Sequence, residues 1–499
     1  MDHLSYWQRE AAPAFQPLPG EIQADAAVVG AGLCGLLCAY FLAQKGVRDV
    51  AVLEAREVCG GVTANTTAKV TSQHGLIYAK LLQGLGEQRA AQYLDAQEQA
   101  LRHCRDVVRR EQIDCGLTDC GAWIYARTQK DARAVEDEAR AARTLGMAAA
   151  LEFPAELPFP VTAAMRFPDQ AHFHPLRFAF RLCELLDKAG VRIYTQTQVT
   201  AAEAGVVHTG RGRVYAKHIL ICSHYPVIDK ASLLFTRLFQ ERSYVLALQR
   251  AGQLRDMYLD CAKGGVSLRP LNDGPDSLIL FGAYDHKTGH EDHTSHFSAL
   301  REEARQAYPR AEPVAQWSAQ DCMTHDGIPY IGRYPGAGDG MYLATGFNKW
   351  GMTSSMAAAE LLSDLIVSGR ARYQDVFALD RGDAGLQAKS FVKEAIDIAG
   401  NFLTHLTMAD THLKALRPGE GGIVEIGGKR VGAYKDRDGR VYAVKPVCTH
   451  MGCALKWNPD EISWDCTCHG SRFDYRGNVL GGPAFQALEC RVLEADAYH

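Results

Sequence analysis

Ala26-Ala27-Val28-Val29 runs straight into Gly30-Ala31-Gly32-Leu33-Cys34-Gly35, and no other stretch limits the fold of this chain so strongly. The four apolar residues read as a short buried strand. Past the glycines, Leu33, Leu36, Leu37, Tyr40 and Phe41 fall on one helical face. A second apolar run, Val50 to Leu53, ends at Glu54. Strand, glycine turn, helix, strand and acid in that order make a unit that can hold a dinucleotide. The glycines let backbone approach a pyrophosphate, the helix start offers N–H donors and partial positive charge, and the acid accepts a ribose hydroxyl. The bland alternative is a glycine turn beside a solvated glutamate. Ala26 to Ala43 is also 18 residues without a charge, near the length of a membrane span. Gly30, Gly32 and Gly35 and the change of period within it favour strand, loop and helix, so no integral membrane segment is expected.

The chain has 499 residues, enough for several domains at roughly 100–200 residues each. Apolar residues make up 47% and charged residues 22%, so a large core can form and a disordered or disulfide-only scaffold is excluded. Lys plus Arg is 54 against 58 Asp plus Glu, and the net charge of −4 argues against a nucleic-acid partner. No basic leader precedes an apolar run with a small-residue cleavage site, so a cytoplasmic protein is expected. Most of the 15 cysteines are scattered as reduced core thiols are, but a bunch between Cys448 and Cys468 needs its own account.

Further motifs specify the dinucleotide. Glu54-Ala55-Arg56, followed by Gly60-Gly61, resembles the acid-then-Gly-Gly extension of glutathione-reductase-like flavoproteins. Thr66-Thr67-Ala68-Lys69 resembles the loop that passes under the flavin and its phosphates in that group. His174-Pro175-Leu176 opens a helical pattern to Lys188, and Gly190 leads into a strand from Val191 to Thr195. This resembles the segment before the adenine-contacting strand and implies a backbone contact at Val199. Ile219 to Cys222 resembles the strand that closes the domain, with Ser223-His224 where Thr-Gly is usual. Trp317, Thr324 to Gly332, Tyr342 to Gly346 and Gly351-Met352 resemble the closing FAD segment of D-amino-acid oxidase and sarcosine oxidase relatives. Over roughly residues 20–370 the chain is thus identified as a member of the D-amino-acid oxidase superfamily of FAD-dependent oxidoreductases. The resemblance implies an α/β, glutathione-reductase-like Rossmann domain for FAD over residues 1–375. It implies FAD contacts at Gly30, Ala31, Gly32, Leu33, Cys34, Gly35, Glu54, Ala55, Arg56, Thr66, Thr67, Ala68, Val199, Gly332, Gly346, Gly351 and Met352.

Within residues 230–325, Tyr244 to Leu248 and Leu278 to Tyr284 read as strands and Ser298 to Tyr308 as a helix. In the family this stretch is an inserted α+β substrate domain. His286, His290, His293 and His296 could ligate a metal on a helix, but a solvated loop fits them as well. They lack the Asp-x2-His-x4-His spacing of the mononuclear iron site in Rieske oxygenases. Gly336 to Gly340 precedes a strand with the wrong spacing and reads as a turn, so no second dinucleotide unit is expected. Cys322 is the nearest candidate for covalent flavin attachment, and a plain core thiol is the simpler reading.

Phe391, Ala395, Ile398, Ala399 and Leu403 keep roughly helical spacing, which makes 376–415 a helical linker. From Gly419 the texture changes to short strands and glycine turns: Ile423 to Ile426, Lys429 to Tyr434, Asp438-Gly439 and Val441 to Val444. This predicts a small all-β domain over 416–499. Within it, Cys448-Thr449-His450 pairs with Cys466-Thr467-Cys468-His469. Cys-x-His with Cys-x2-His is the ligand arrangement of a Rieske [2Fe–2S] centre, thiolates on one iron and imidazoles on the other. Zinc fingers instead group Cys with Cys and His with His. The wider loops resemble the Rieske proteins of cytochrome bc complexes. That resemblance implies Cys448, His450, Cys466 and His469 as metal ligands and a Cys453–Cys468 disulfide clamping the loops. It also makes Gly481-Gly482-Pro483 the third loop over the cluster. Two residues depart from the pattern. Thr467 replaces a Pro, and Phe473 replaces a Tyr whose hydroxyl bonds a cysteine sulfur, while Ser471 is kept. One donor fewer to the sulfurs predicts a potential below that of the bc proteins.

Together the resemblances imply an enzyme that oxidises a C–N bond of a small amine or amino acid on FAD. Electrons would pass singly through the cluster to an external one-electron carrier. A reductase fed through the cluster, and a redox-sensing or docking module, are the alternatives; a substrate domain favours catalysis. The candidates for a catalytic role are Lys69, His74, Tyr284, His286 and Lys349, although aligning a neutral amine can be most of the work.

Overall fold

The computed structural model describes residues 4–272, 277–290, 295–381, 413 and 416–493. The chain divides into two compact units. The first holds Met1–Ser232, Ser243–Asp285 and Ser298–Asp383; the second holds Leu233–Arg242, His286–Phe297 and Ala384–His499.

The predicted strand–turn–helix lies at the heart of the first unit. Parallel strands run in the order Met341–Thr345, Gly212–Ile221, Ile22–Val29, Val50–Leu53 and Arg192–Tyr194, and Tyr330–Arg333 closes one edge antiparallel. Ala26 to Val29 and Val50 to Leu53 are covered throughout, as strands buried on both faces must be. Helix Leu33–Gln44 is buried on nearly every side, packed by Gly351–Ser368 with its small residues Ala357, Ala358 and Ala359. The apolar stripe read from the sequence is therefore only part of its covered surface. The charge-free run is strand, turn and helix, and among the described residues no helix is long and apolar enough to cross a membrane.

A second, nine-stranded sheet has the order Glu312–Thr324, Leu238–Gln249, Ser277–Lys287, Ser267–Asn272, Met257–Asp260, Thr118–Ala126, Ala163–His172 and Lys69–Val70, with Ala150–Leu151 beside Ala163–His172. The strands expected at 244–248 and 278–284 and the helix at 298–308 correspond to Leu238–Gln249, Ser277–Lys287 and His296–Ala307. The layer is not confined to residues 230–325. It also recruits Lys69–Val70, Thr118–Ala126 and Ala163–His172. Thr118–Ala126 is covered from Gly121 onward and pairs on both edges. It lacks the alternation that marks a half-exposed strand, which is why its sequence pattern was silent.

The second unit carries two four-stranded antiparallel sheets. One runs Gly421–Ile426, Lys429–Lys435, Val441–Val444 and Cys490–Leu493; the other runs Leu455–Asn458, Ser463–Cys466, Arg472–Asp474 and Val479–Gly481. Trp464 and Phe473 face each other across neighbouring strands and are fully buried. Gly432 lies against the Trp464 ring, where a Cβ would come within 2.9 Å. The linker helix expected through Phe391 and Leu403, and His293 of the histidine run, lie outside the described residues.

Candidate functional site

The glycine turn leaves Ile22–Val29 at the carboxyl end of a central parallel strand, where open α/β sheets hold their ligands. Gly30 has φ 105°, and a Cβ there would meet the Cys222 carbonyl oxygen at 2.8 Å. At Gly35 a Cβ would stand 1.9 Å from the Gly30 carbonyl oxygen. Close approach of strand, turn and helix thus requires both glycines. Gly32 begins the helix with no side-chain cap, and Leu33 and Cys34 form its first turn, with the Leu33 N–H donating to the Thr63 hydroxyl at 3.1 Å. A helix start whose capping residue is a glycine leaves room for an anion at its N–H groups. Glu54 accepts from the Ala31 and Arg56 N–H groups, each at 2.9 Å, so its carboxylate is tied to the turn; Ala55 and Arg56 follow at the surface.

The loop through Thr66, Thr67 and Ala68 is pinned carbonyl by carbonyl. The Trp317 indole donates to Asn65 at 2.9 Å, the Trp7 indole to Thr66 at 2.7 Å, and Arg269 Nη1 to Thr67 at 2.6 Å. Ala68 turns with φ 55° and is buried. Asn348 binds the closing segment together. Its side chain accepts from the Thr324 N–H at 3.0 Å and donates to the carbonyls of Gly327 and Gly346 at 3.0 and 3.1 Å. Helix Gly351–Ser368 then starts without a side-chain cap; a Cβ on Gly351 would meet nothing, and Met352 is buried. Gly332 lies in strand Tyr330–Arg333, and Val199 opens Val199–Glu203 and is buried. His224, where the family has Gly, adopts φ 61°, a region that glycine enters freely. The turn, the tied acid and the two helix starts fit a dinucleotide.

Each candidate catalytic side chain has partners of its own. Lys69 Nζ donates to the Tyr258 carbonyl and the Ser267 hydroxyl, both at 2.8 Å. Burial, with Arg269 nearby, pushes its ammonium down to about 7. Arg269 is itself buried and donates through Nη2 to His172 Nδ1 at 2.8 Å. Burial lowers its guanidinium to about 9. His74 is a core residue. Its ring stacks on Trp350 at 4.9 Å, Nδ1 lies 2.7 Å from the Tyr93 hydroxyl, and Nε2 lies 2.8 Å from the Thr71 carbonyl oxygen. Burial holds it neutral, down to about 3. Lys349 pairs with Asp285 at 2.8 Å. Tyr284 has φ 62°, and burial followed by Glu303 raises its hydroxyl to about 12. His286 belongs to the second unit and stacks on His296 at 4.4 Å. Cys322 is a core thiol raised to about 12 by burial. Trp7, His172, Arg269 and Asn348 escaped sequence reading, because their partners are far away along the chain and no local spacing marks them.

In the second unit, Cys448, Cys466 and His469 are buried and His450 is half-buried. The two imidazoles lie edge to face at 5.1 Å. Cys453 and Cys468 are disulfide-bonded. The Cys448 thiol is drawn below the ordinary range, first by Cys466 and then by the His450 N–H and the Ser471 hydroxyl. Ser471 also accepts from the Ala484 N–H at 3.0 Å, tying the third loop to the second. The Cys448 N–H donates to the Cys453 carbonyl at 2.8 Å, and the Cys466 N–H to that of Ser471 at 2.8 Å. Two close thiols with N–H and hydroxyl donors around them, and two imidazoles set edge to face, are the donor set that a mixed-ligand iron–sulfur cluster takes. Cys448, His450, Cys466 and His469 are the residues that would hold it.

A flavin-dependent oxidoreductase with an iron–sulfur domain at its C-terminus is the class that this fold defines. The family profile described as FAD dependent oxidoreductase matches residues 25–365, and that of the Rieske [2Fe-2S] domain matches 407–491. The chain belongs to the FAD dependent oxidoreductase family and carries a Rieske domain, with FAD and a Rieske-type [2Fe–2S] cluster as its cofactors. A putative Rieske 2Fe-2S iron-sulfur protein YhfW of Bacillus subtilis is 35% identical over 97% of this chain and 97% of its own length. A cytochrome b6-f complex iron-sulfur subunit of Synechococcus elongatus is 49% identical over 43 residues, 9% of this chain and 24% of its own. Among solved structures, glycine oxidase from Geobacillus kaustophilus superposes with a TM-score of 0.61 at 21% identity, covering 72% of this chain and 99% of that one. L-proline dehydrogenase from P. horikoshii gives 0.60 at 17%, covering 72% and 97%.

Proposed function

We propose that this oxidoreductase dehydrogenates the C–N bond of a small amino acid, and that the electrons leave through the cluster to an external one-electron carrier. When bound, FAD supplies an acceptor for a hydride equivalent and the cluster a one-electron relay. The substrate loses a hydride from carbon and a proton from nitrogen and becomes an imine; two electrons go on, one at a time, to the carrier. The chain's own part is to bind and align a neutral amine.

The observation that carries this reading is the buried cationic pair of Lys69 and Arg269, with the neutral His172 imidazole beside it. Of the groups that act on the two cations, only the Cys120 thiol favours their charge. Arg269 Nε and His172 Nε2 are buried polar atoms without a hydrogen-bond partner. A substrate carboxylate supplies the missing negative charge and restores the Lys69 ammonium. Amino acids, rather than simple amines, are the class that such a charge arrangement selects. Neighbours in fold include enzymes named for glycine, L-proline and L-amino acids. A cytoplasmic location belongs to the same reading, with the Cys453–Cys468 disulfide shielded beside the cluster.

The test is anaerobic. Purified protein is mixed with a panel of D- and L-amino acids, N-methyl amino acids and the matching decarboxylated amines. Flavin absorbance is followed, and low-temperature EPR reads the cluster on the same samples. The reading expects an amino acid to bleach the flavin, its decarboxylated amine to do so poorly, and the cluster signal to grow. It fails if no compound bleaches the flavin while a protein reductant reduces first the cluster and then the flavin.

A further inference from the structure

Two short segments from within the predicted insertion, Leu233–Arg242 and His286–Phe297, belong to the same compact unit as the cluster loops. Their contacts fall on the residues around His469. Gln240 Nε2 donates to the His469 carbonyl at 2.7 Å and to the Gly482 carbonyl at 2.8 Å, joining the second and third loops. The Phe235 ring stands edge-on to the His469 imidazole at 5.9 Å. From the other segment, His290 Nε2 donates to the Thr467 carbonyl at 2.9 Å. The two segments are themselves tied by the Thr288 N–H on the Gln240 carbonyl at 2.9 Å.

The fit is close at two glycines. A Cβ on Gly289 would lie 2.8 Å from the Cys466 carbonyl and the Thr467 Cα, which are backbone and cannot give way. A Cβ on Gly470 would lie 2.7 Å from the Gln240 Cβ. Farther out, Arg242 is buried and pairs with Glu461 at 2.9 Å, while the Ser295 hydroxyl and His296 N–H donate to Asp460 at 2.6 and 2.7 Å. Gln240 is 2% exposed, so its two donated bonds are made away from solvent, where a lost partner is most strongly felt.

We propose that Gln240 is a positioning residue for the cluster, and that it forms with Gly289 and His290 an in-chain seat that fixes the loop carrying His469. The sequence 416–499 alone lacks this seat. On this proposal, cluster geometry depends on residues more than 170 positions away along the chain. The inference rests on the ligand set Cys448, His450, Cys466 and His469.

The experiment uses the full chain with both cofactors. Gln240→Met keeps the side-chain length and removes both donors. The expected result is an altered EPR g-anisotropy, a shifted cluster potential, and cluster loss to a chelator faster by about tenfold. Flavin absorbance and the anaerobic reduction of the flavin by dithionite stay as in the parent. If Gln240→Met fails to fold, Gly289→Ala and His290→Phe test the seat from the second segment, with the same changes expected. Unaltered spectra, potential and chelator kinetics in these variants overturn the proposal. His469→Ala is the control: a cluster that survives it removes the ligand assignment, not the seat.

Discussion

At Gly30 and Gly35 the chain makes room for a cofactor by removing side chains from a close-packed parallel sheet. At Cys448, His450, Cys466 and His469 it instead offers side chains from loops that rest on two small sheets. In the first region the groups that would bind are N–H donors at helix starts, which buried strands hold in place. In the second, the ligand loops are held by a disulfide, by Ser471 and by Gln240. A site of the first kind is destroyed by adding an atom. A site of the second kind is destroyed by removing one.

The largest effects follow directly. Gly35→Val puts a Cβ within 1.9 Å of the Gly30 carbonyl oxygen, so the purified variant is expected to lack flavin absorbance and to keep the Rieske EPR signal. Cys466→Ser is expected to do the reverse. Loss of both cofactors from either variant breaks the contrast between the regions. Next, Cys453→Ser removes the clamp on the cluster loops. It should lower the stability of that domain by about 2–5 kcal/mol, seen as an earlier loss of cluster absorbance on heating while the flavin transition is unmoved.

A smaller effect is expected at Lys69. Its ammonium titrates at about 7, and the protonated form is the one that attracts a carboxylate. The pairing is present below that pH and is lost as pH rises through it. The kcat/KM for an amino acid should therefore fall above about pH 7, and Lys69→Met should erase that limb while raising KM by about tenfold, as expected for one charged hydrogen bond. The smallest is at Phe473. Phe473→Tyr restores a hydroxyl donor beside the cluster, and one hydrogen bond of about 1 kcal/mol raises a one-electron potential by about 40 mV. A spectroelectrochemical titration of both proteins reads this shift, and an equal or lower value in the variant contradicts the assigned role of the missing donor.

Legibility differed between the regions for a physical reason. The dinucleotide turn and the cluster motifs are local: Gly30, Gly32, Gly35 and Glu54, or Cys448 and His450, carry their meaning in their spacing. Elements built from distant partners carried none. Thr118–Ala126 is covered throughout its second half and shows no alternation, so its place in the nine-stranded sheet was not visible. Trp7 and Arg269 bind the carbonyls of Thr66 and Thr67 from far before and far after the loop in sequence. Gln240 meets His469 only after the chain has folded. Nothing local in the sequence tells a core histidine from a catalytic one at His74, and the structure commits both ring nitrogens to packing partners.

The central claim is that electrons taken from an amino acid leave through the cluster. It is tested most directly by comparing the parent with Cys466→Ser in anaerobic single turnovers, followed by addition of cytochrome c as the one-electron acceptor. The account predicts that the amino acid bleaches the flavin at the same rate in both, and that only the parent develops the Rieske EPR signal and goes on to reduce the acceptor. Reduction of the acceptor by Cys466→Ser at the parent's rate contradicts it.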